Sequence, residues 1–305
     1  MIPFLIKRLL GMIPVLFIIT TITFFIIRLA PGGPFDTDKQ IPPEIRKNIE
    51  AVYHMDEPLI KQYVRYIGGV LQGDLGPSFR YAGRTVTEIL AQTAPVSAQL
   101  GIAGMIYALC LGLASGILAA SKPNSMRDYV PMALSLVGVC LPSFVIGPLL
   151  ILGFSMTLKW FNVNGLNEPK DLVLPAIALG TLFSAYISRL TRAGILDIVR
   201  QDFIRTAHAK GLPGWKVMLK HAMKGGLLPV VSFLGPATAG ILVGSFVVET
   251  IFNIPGLGRF FVQSALNRDY TLLMGMVLMF AVLLLVMNLV VDIAYAFLDP
   301  RVTYD

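Results

Sequence analysis

Residues 9–30 read LLGMIPVLFIITTITFFIIRLA, a run that holds one charged side chain, Arg28. An α-helix of ~20 mainly apolar residues can cross the hydrocarbon core of a bilayer. Lys7 and Arg8 precede the run, as basic residues do in a signal peptide, but the run is longer than a typical signal-peptide core and no small-x-small cleavage site closes it. We therefore expect it to remain as a membrane anchor.

The rest of the chain has the composition of an integral membrane protein. Hydrophobic residues make up 55% of it and charged residues 14%, and the mean hydropathy is +0.71, whereas a soluble domain carries ~25% charged residues. A β-barrel would need short alternating segments instead of long apolar runs. The expected fold is an all-α membrane protein with six transmembrane helices. These spans are predicted at residues 9–30, 97–119, 130–152, 172–190, 227–248 and 272–297.

Two of these spans have unusual sequences. The fourth, 172–190, is shorter and more polar than the others. The second is rich in glycine, and small residues let helices approach closely in lipid. The sequence leaves open whether its glycines serve static packing or helices that slide against each other. They are Gly101, Gly104, Gly112 and Gly116.

The formal net charge of +7 lies mainly beside the spans. We interpret it as a topology signal and expect no nucleic-acid partner. Lys and Arg in short loops mark the cytoplasmic side of a membrane protein. Their distribution predicts that both termini lie in the cytoplasm and that residues 31–94 lie outside, in a multi-pass protein of a bacterial inner membrane.

The external segment is expected to be partly helical. Its pattern predicts one short amphipathic helix from Pro43 through Tyr53 and another from Pro58 through about Leu71. Residues 73–79, GDLGPSF, then form a turn-rich hinge. We therefore divide the chain into two parts. Residues 1–94 are the anchor and external segment, and residues 95–305 are a core of five spans.

Several common site chemistries have no motif in this sequence. It contains no G-x-x-x-x-G-K-[ST] phosphate loop, no H-E-x-x-H zinc motif and no G-x-S-x-G nucleophile elbow. We expect no enzyme activity, no metal site and no cofactor in this chain. Cys110 and Cys140 lack C-x-x-C spacing and are expected to be small buried hydrophobes. Asp292 and Glu249 are expected to have structural roles near span ends.

The basic stretch between spans four and five holds a predicted helical elbow. Phe203, Ala207 and Gly211 recur at intervals of four, so they share one helix face that is small enough to seat closely against a partner. Gly211 suits the left-handed residue that ends a helix, and Pro213 prevents continuation. A second helix is predicted from Trp215 toward span five. The alternative is an amphipathic helix held by anionic lipid.

These residues resemble the coupling motif of binding-protein-dependent ABC transporter permeases. Residues 203–213 match the peptide-importer form FIRTA-x-AKGLP, with Arg205-Thr206-Ala207 at the E-A-A positions of the general pattern and Gly211 at its glycine. The later I-x-L-P portion departs, since Leu228-Pro229 comes late. Other matches follow in the family's order. They are Arg28 to Gly32, Gly73 to Phe79, Glu249 to Gly258, Asn267 to Tyr270 and Asp299 to Arg301.

The resemblance implies a type I ABC importer permease of the peptide and nickel branch, most similar to the first permease subunit of oligopeptide importers. It implies a second permease subunit, two cytoplasmic ATPase subunits that bind ATP and Mg, an extracytoplasmic peptide-binding protein, and membrane lipid as partners. The elbow would dock on one ATPase. The residues that the resemblance assigns to this coupling are Phe203, Arg205, Thr206, Ala207, Lys210, Gly211, Leu212 and Pro213.

Three alternatives stay open at this point. A dipeptide or nickel importer permease of the same branch would share these motifs. An ion-coupled secondary carrier is disfavoured because the spans hold almost no charged relay. An intramembrane hydrolase is disfavoured because no serine within a span has a histidine base at the same depth. The residues that line a substrate path remain unknown from the sequence.

Overall fold

A computed structural model describes residues 2–29, 54–81 and 83–298 of the chain. The helix predicted from Pro43 to Tyr53 and the motif at Asp299 to Arg301 lie outside the described residues. The regular secondary structure of the described part is helical, apart from one isolated bridge between Pro77 and Thr85. The fold class predicted from the sequence is therefore confirmed.

Twelve α-helices are described. They are α1 (Ile2–Leu29), α2 (Leu59–Leu71), α3 (Val86–Ser121), α4 (Met126–Cys140), α5 (Ser143–Leu150), α6 (Val173–Val199), α7 (Asp202–Ala209), α8 (Gly214–Lys216), α9 (Met223–Gly226), α10 (Leu228–Ile251), α11 (Leu257–Leu266) and α12 (Tyr270–Leu298). Two π-helical segments continue α5 and α8, at Ile151–Thr157 and Val217–Ala222, and one 3-10 turn, Pro169–Leu172, precedes α6. Helix α2 and the turns after it match the second external helix and the hinge expected from the sequence.

Among the described residues, five helices are long and apolar enough to cross a membrane, and a sixth span results if the bent pair α4 and α5 is one crossing. The chain also divides into two compact units, one of Met1–Val96 and Gly256–Leu283 and the other of Ser97–Pro255 and Leu284–Asp305. The functional division at residues 94 and 95 stays a prediction.

The third span is bent rather than straight. Helices α4 and α5 meet at an angle of 104°, whereas the sequence predicted one continuous span over 130–152. Leu141 is extended, with φ −94° and ψ 114°, because Pro142 follows it. A proline disfavours the helical conformation of the preceding residue and cannot donate a backbone hydrogen bond. The break between α4 and α5 therefore follows from the dipeptide Leu141-Pro142, which a hydropathy average does not distinguish from other apolar residues.

The fourth span is longer than expected, and it is the most buried of the five long spans in the described residues. Helix α6 extends to Val199, and 61% of its most apolar stretch is buried, against 11% for α1. Its polar residues suit this position because it packs among helices rather than against lipid. A Cβ atom at Gly116 of α3 would lie 2.5 Å from the Thr191 Cβ atom of α6, and one at Gly112 would lie 2.7 Å from the Ile187 Cβ atom. These glycines let the two backbones touch.

The cysteine prediction was wrong. Cys110 and Cys140 are both exposed in this chain rather than buried. Both lie within apolar spans, where the outer surface faces lipid, so an apolar side chain gains little there from turning inward. Hydropathy identifies the span but not which of its faces packs against another helix.

Candidate functional site

The elbow begins where α6 ends. Helix α7 spans eight residues, and Asp202 in its first turn carries the negative charge that a helix N-terminus favours. At the other end Gly211 has φ +77° and donates its N–H to the His208 carbonyl at 2.9 Å, while Leu212 donates to the Ala207 carbonyl at 3.4 Å. This pair of bonds is a Schellman motif. The predicted stop at Gly211 is confirmed, and Pro213 occupies the position just before α8.

One side of α7 packs against its own chain. Ile204 is 1% exposed and Ala207 is 7% exposed. They join a cluster with residues from α3, α6 and the segment after α8, namely Ala120, Ile195, Val217 and Ala222, with Leu212 partly buried against it. The sequence predicted that Phe203, Ala207 and Gly211 form one face that contacts a partner. This is wrong for Ala207, which is buried against its own chain. Small residues at intervals of four indicate a helix face that packs closely, but they do not show whether it packs against the same chain or against another protein.

The opposite side of α7 faces outward. Arg205, Thr206, Ala209 and Lys210 are exposed there, and Phe203 on its flank is 48% exposed. Past the turn, Trp215 is 67% exposed. We name the set Phe203, Arg205, Thr206, Lys210 and Trp215 the elbow surface. It combines two large aromatic side chains with cations, and aromatic residues and arginine are enriched in protein interfaces.

An ion pair between a buried carboxylate and a partly exposed arginine fixes the helix that leads to the elbow. Arg192 on α6 donates to both carboxylate oxygens of Asp128 in the first turn of α4, at 2.5 and 2.6 Å. The backbone N–H of Asn124 donates to the same carboxylate at 3.0 Å, and Asp128 is 2% exposed. Removing Arg192 would leave Asp128 as a buried charge without its partner, which is strongly destabilising. Sequence reasoning counted Arg192 only as a topology charge, although Asp128 is an isolated acid beside Arg127.

A second polar centre lies in the other compact unit. Asp269 is 1% exposed and accepts hydrogen bonds from the Ser78 hydroxyl, from the Phe79 N–H at 3.2 Å and from the Leu272 N–H at 3.2 Å. It joins two segments that the resemblance had matched separately, 73–79 and 267–270. Burial and the nearby Asp269 charge raise the pKa of Tyr81 above its ordinary value. The sequence signalled both segments but not the acid that connects them.

Glu249 also has a structural environment, as the sequence predicted. It is fully buried, and the Ser97 hydroxyl donates to its carboxylate at 2.6 Å. Its backbone carbonyl accepts the Ile254 N–H at 2.7 Å, where α10 turns into the following loop. Among the residues that the structure describes, no group of three His, Cys, Asp or Glu side chains could hold a metal ion.

Two protein-family models match the chain and together cover nearly all of it. One, "Binding-protein-dependent transport system inner membrane component", matches residues 112–304. The other describes the N-terminal part of such a membrane component and matches residues 1–101. The elbow, α6 and the C-terminal end of α3 that packs against the elbow lie within the first match.

Curated relatives match over the full length. The chain is 44% identical over 306 residues to the oligopeptide transport system permease protein OppB of Salmonella typhimurium and to that of Escherichia coli K12, covering 100% of each chain. It is 41% identical over 299 residues to the dipeptide transport system permease protein DppB of Bacillus subtilis, covering 98% of this chain and 97% of that protein.

Solved structures share the fold at low sequence identity. The MetNI methionine ABC transporter in an inward-facing conformation aligns with a TM-score of 0.59 and 14% identity, covering 69% of this chain and 96% of that chain. An amino acid ABC transporter aligns with a TM-score of 0.51 and 19% identity, covering 71% and 95%. These likenesses concern the arrangement of helices.

Proposed function

Because the chain belongs to the family of binding-protein-dependent transport system inner membrane components, we propose that it is a permease subunit of an ABC importer for oligopeptides. Full-length identity of 44% to OppB proteins supports the oligopeptide assignment. The chain would form the path together with a second permease subunit. An extracytoplasmic binding protein would deliver the peptide.

The observation that carries this proposal is the elbow. Helix α7 presents a polar and aromatic surface outward, while its other side is fixed to α3 and α6 through Ile204 and Ala207. A force on the elbow surface would therefore reach two long helices without first deforming a flexible loop. The sequence has no phosphate loop, so ATP energy would enter from separate ATPase chains that hold ATP and Mg. The elbow is a suitable point of entry.

The residues of the elbow would have different tasks. Phe203 and Trp215 would insert into apolar parts of an ATPase groove, and Arg205, Thr206 and Lys210 would contact its polar rim. Ala207 and Leu212 would act inside the chain by seating α7 on the bundle. Gly211 and Pro213 would set the angle between α7 and the following segment, because Gly211 occupies the left-handed region.

The orientation follows from the same proposal. ATPase subunits act in the cytoplasm, so the elbow lies there and the termini share that side. Residues 31–94 then lie outside the cell. The excess of Lys and Arg in the short loops on the cytoplasmic side agrees with this orientation. In this arrangement residues 1–94 are the anchor and external segment, and residues 95–305 are the permease core.

A glycine pair in the elbow tests the proposal. Gly211→Trp forces a bulky L-residue into the left-handed region at the helix end, whereas Gly214 has no such φ and, like Gly211, open space around its Cβ position. In proteoliposomes holding the complete importer, we expect Gly211→Trp to block peptide uptake and lower peptide-stimulated ATP hydrolysis while the subunits still co-purify. Gly214→Trp is the matched control for bulk and is expected to retain more of both activities.

Normal uptake by the Gly211→Trp importer would contradict the coupling role. Purification of the chain from native membranes without ATPase subunits and without a second permease subunit would contradict the importer assignment itself.

A dipeptide importer is the second candidate, because the DppB relative is 41% identical over nearly the full length. The two candidates share the elbow and differ in cargo. Direct uptake of a labelled dipeptide and of a labelled tetrapeptide by the same importer separates them. Uptake of the tetrapeptide favours the oligopeptide assignment, and uptake of the dipeptide alone favours the alternative.

A further inference from the structure

Helix α2 lies alongside the final turns of α1. The Tyr63 and Thr21 hydroxyls form a hydrogen bond at 2.7 Å, and the Tyr63 ring stacks on Phe25 with centroids 5.5 Å apart. Phe24, also in contact with Tyr63, is fully buried. Thr21 precedes the end of α1 at Leu29 by eight residues, which is about 12 Å of helix at 1.5 Å per residue. This contact places α2 beside the last turns of a membrane-spanning helix.

The side of α2 that does not touch α1 carries an exposed apolar stripe. Ile60 is 70% exposed, Val64 is 63% exposed and Leu71 is 83% exposed. Their spacing of four and seven places them on one face of a helix. Lys61 and Arg65 are exposed on a neighbouring face. The helix thus has three sides, one against α1, one apolar and one basic.

Lipid is the occupant that fits this stripe. Helix α1 exposes Ile22 and Ile26 at the same turns, with 52% and 63% of their surfaces uncovered. A spanning helix shows such residues to acyl chains, and the contact between Tyr63 and Thr21 puts α2 at that level. A helix with one apolar and one basic face lies in the plane of the interface, with its apolar face at the boundary of headgroups and acyl chains.

A cavity of about 440 Å³ lies beside α2, and the Arg28 side chain is one of its lining residues. The Arg28 guanidinium lies over the Phe24 ring at 4.5 Å and donates to the Gln62 side chain. Its Nε atom is buried without a hydrogen-bond partner, as is the Tyr66 hydroxyl at the same cavity. No carboxylate pairs with Arg28 among the described residues, and a buried charge without a counter-charge is costly.

The acidic residue that lines this cavity is Asp74, which accepts the Gly76 N–H at 2.9 Å. Glu57 is not among the lining residues: one of its carboxylate oxygens pairs with Arg65 at 2.8 Å, and Oε2 is buried without a hydrogen-bond partner. Burial raises the pKa of the Tyr66 hydroxyl, which therefore stays a neutral donor. Two buried donors without partners, the Arg28 Nε–H and the Tyr66 O–H, thus belong to residues that line a cavity at the end of a span. Guanidinium groups match phosphate oxygens in geometry and charge.

We propose that α2 is an interfacial helix in the leaflet where α1 ends, with its Ile60, Val64 and Leu71 stripe against acyl chains, and that Arg28 and Tyr66 bind a phospholipid phosphate in the cavity on another side of α2. Phospholipid would supply both an anion for Arg28 and an apolar cover for α2. This assignment does not depend on the transported substrate or on the elbow.

The apolar stripe is tested by spin labelling of the whole importer in phospholipid nanodiscs. Cys110→Ala and Cys140→Ala remove both cysteines of this chain, with any partner cysteines also replaced. A nitroxide is then placed at Val64→Cys or, as the matched control on the basic face, at Lys61→Cys. We expect the ratio of oxygen to nickel-chelate collisions to be several-fold higher at Val64. Equal ratios, or protection of Val64 from both reagents by a protein, would overturn the lipid assignment.

The phosphate contact is tested by lipid retention. Importers carrying Arg28→Gln, Tyr66→Phe or the control Lys61→Gln are washed in detergent, and bound phospholipid is counted by native mass spectrometry. We expect Arg28→Gln to lose the most tightly held phospholipid, Tyr66→Phe to weaken its retention and Lys61→Gln to keep it. Retention equal in all variants would refute the site. Binding of inorganic phosphate to washed importer, without phospholipid retention, would refute lipid as the source of the phosphate.

Discussion

Helices α2 and α7 are both short and amphipathic, yet they use their apolar faces in opposite ways. In α7, Ile204 and Ala207 are buried against the chain, and the exposed side is polar with aromatic residues at its margin. In α2, the chain covers Tyr63 and Gln62 but leaves Ile60 and Val64 exposed. Periodicity alone predicts an amphipathic helix in both cases. Whether the apolar face of such a helix contacts protein or lipid depends on which other helices pack next to it.

The largest expected difference between the two helices is the side from which each can be labelled. With Cys110 and Cys140 replaced by alanine, a cysteine at Asp56 before α2 should react with a membrane-impermeant maleimide only from outside the cell. A cysteine at His208 in α7 should react only after the membrane is opened. Both positions are exposed. Labelling of the Asp56 position only from the cytoplasmic side would reverse the topology.

The next difference concerns stability. Ile204→Ala should lower the free energy of unfolding by about 2–5 kcal/mol, because it removes a buried side chain from the cluster under α7. Ile60→Ala should change it by less than ~0.5 kcal/mol, because Ile60 is already exposed. Thermal unfolding of the importer in one detergent measures both. A larger loss at Ile60 would show that protein, not lipid, covers α2.

A smaller effect is expected at the elbow surface. Trp215→Ala should weaken ATPase binding by about 2 kcal/mol, or roughly 30-fold, since exposed tryptophans are frequent anchors of interfaces. Trp160→Ala is the matched control, because Trp160 is similarly exposed but lies away from the elbow, in the loop before α6. Titration of purified ATPase onto the two variants in nanodiscs gives the affinities. Equal affinities would remove Trp215 from the interface.

Hydropathy predicted the positions of the five long spans and of the bent pair α4 and α5, because span length is set by the bilayer and is encoded locally in the chain. It did not predict the 104° bend at Leu141 and Pro142, although the dipeptide itself carries that signal. Local sequence also gave the end of α7, since Gly211 and Pro213 determine it.

Features that depend on contacts between distant residues could not be predicted. The pair of Asp128 and Arg192 joins helices far apart in sequence, and a charge count treats each residue alone. The burial of Ala207 depends on Val217 and Ala120, which no helical period reveals. The exposure of the two cysteines was mispredicted for the same reason, because a span buries different faces against different neighbours.

The most direct test of the elbow as an ATPase-docking element is photo-crosslinking from Phe203. A benzophenone amino acid at position 203 is compared with one at position 60, in an importer assembled in native membranes. The account predicts that position 203 forms a covalent product with an ATPase subunit and that position 60 forms one with phospholipid. Crosslinking of position 203 to phospholipid, with no ATPase product, would contradict the coupling role of the elbow.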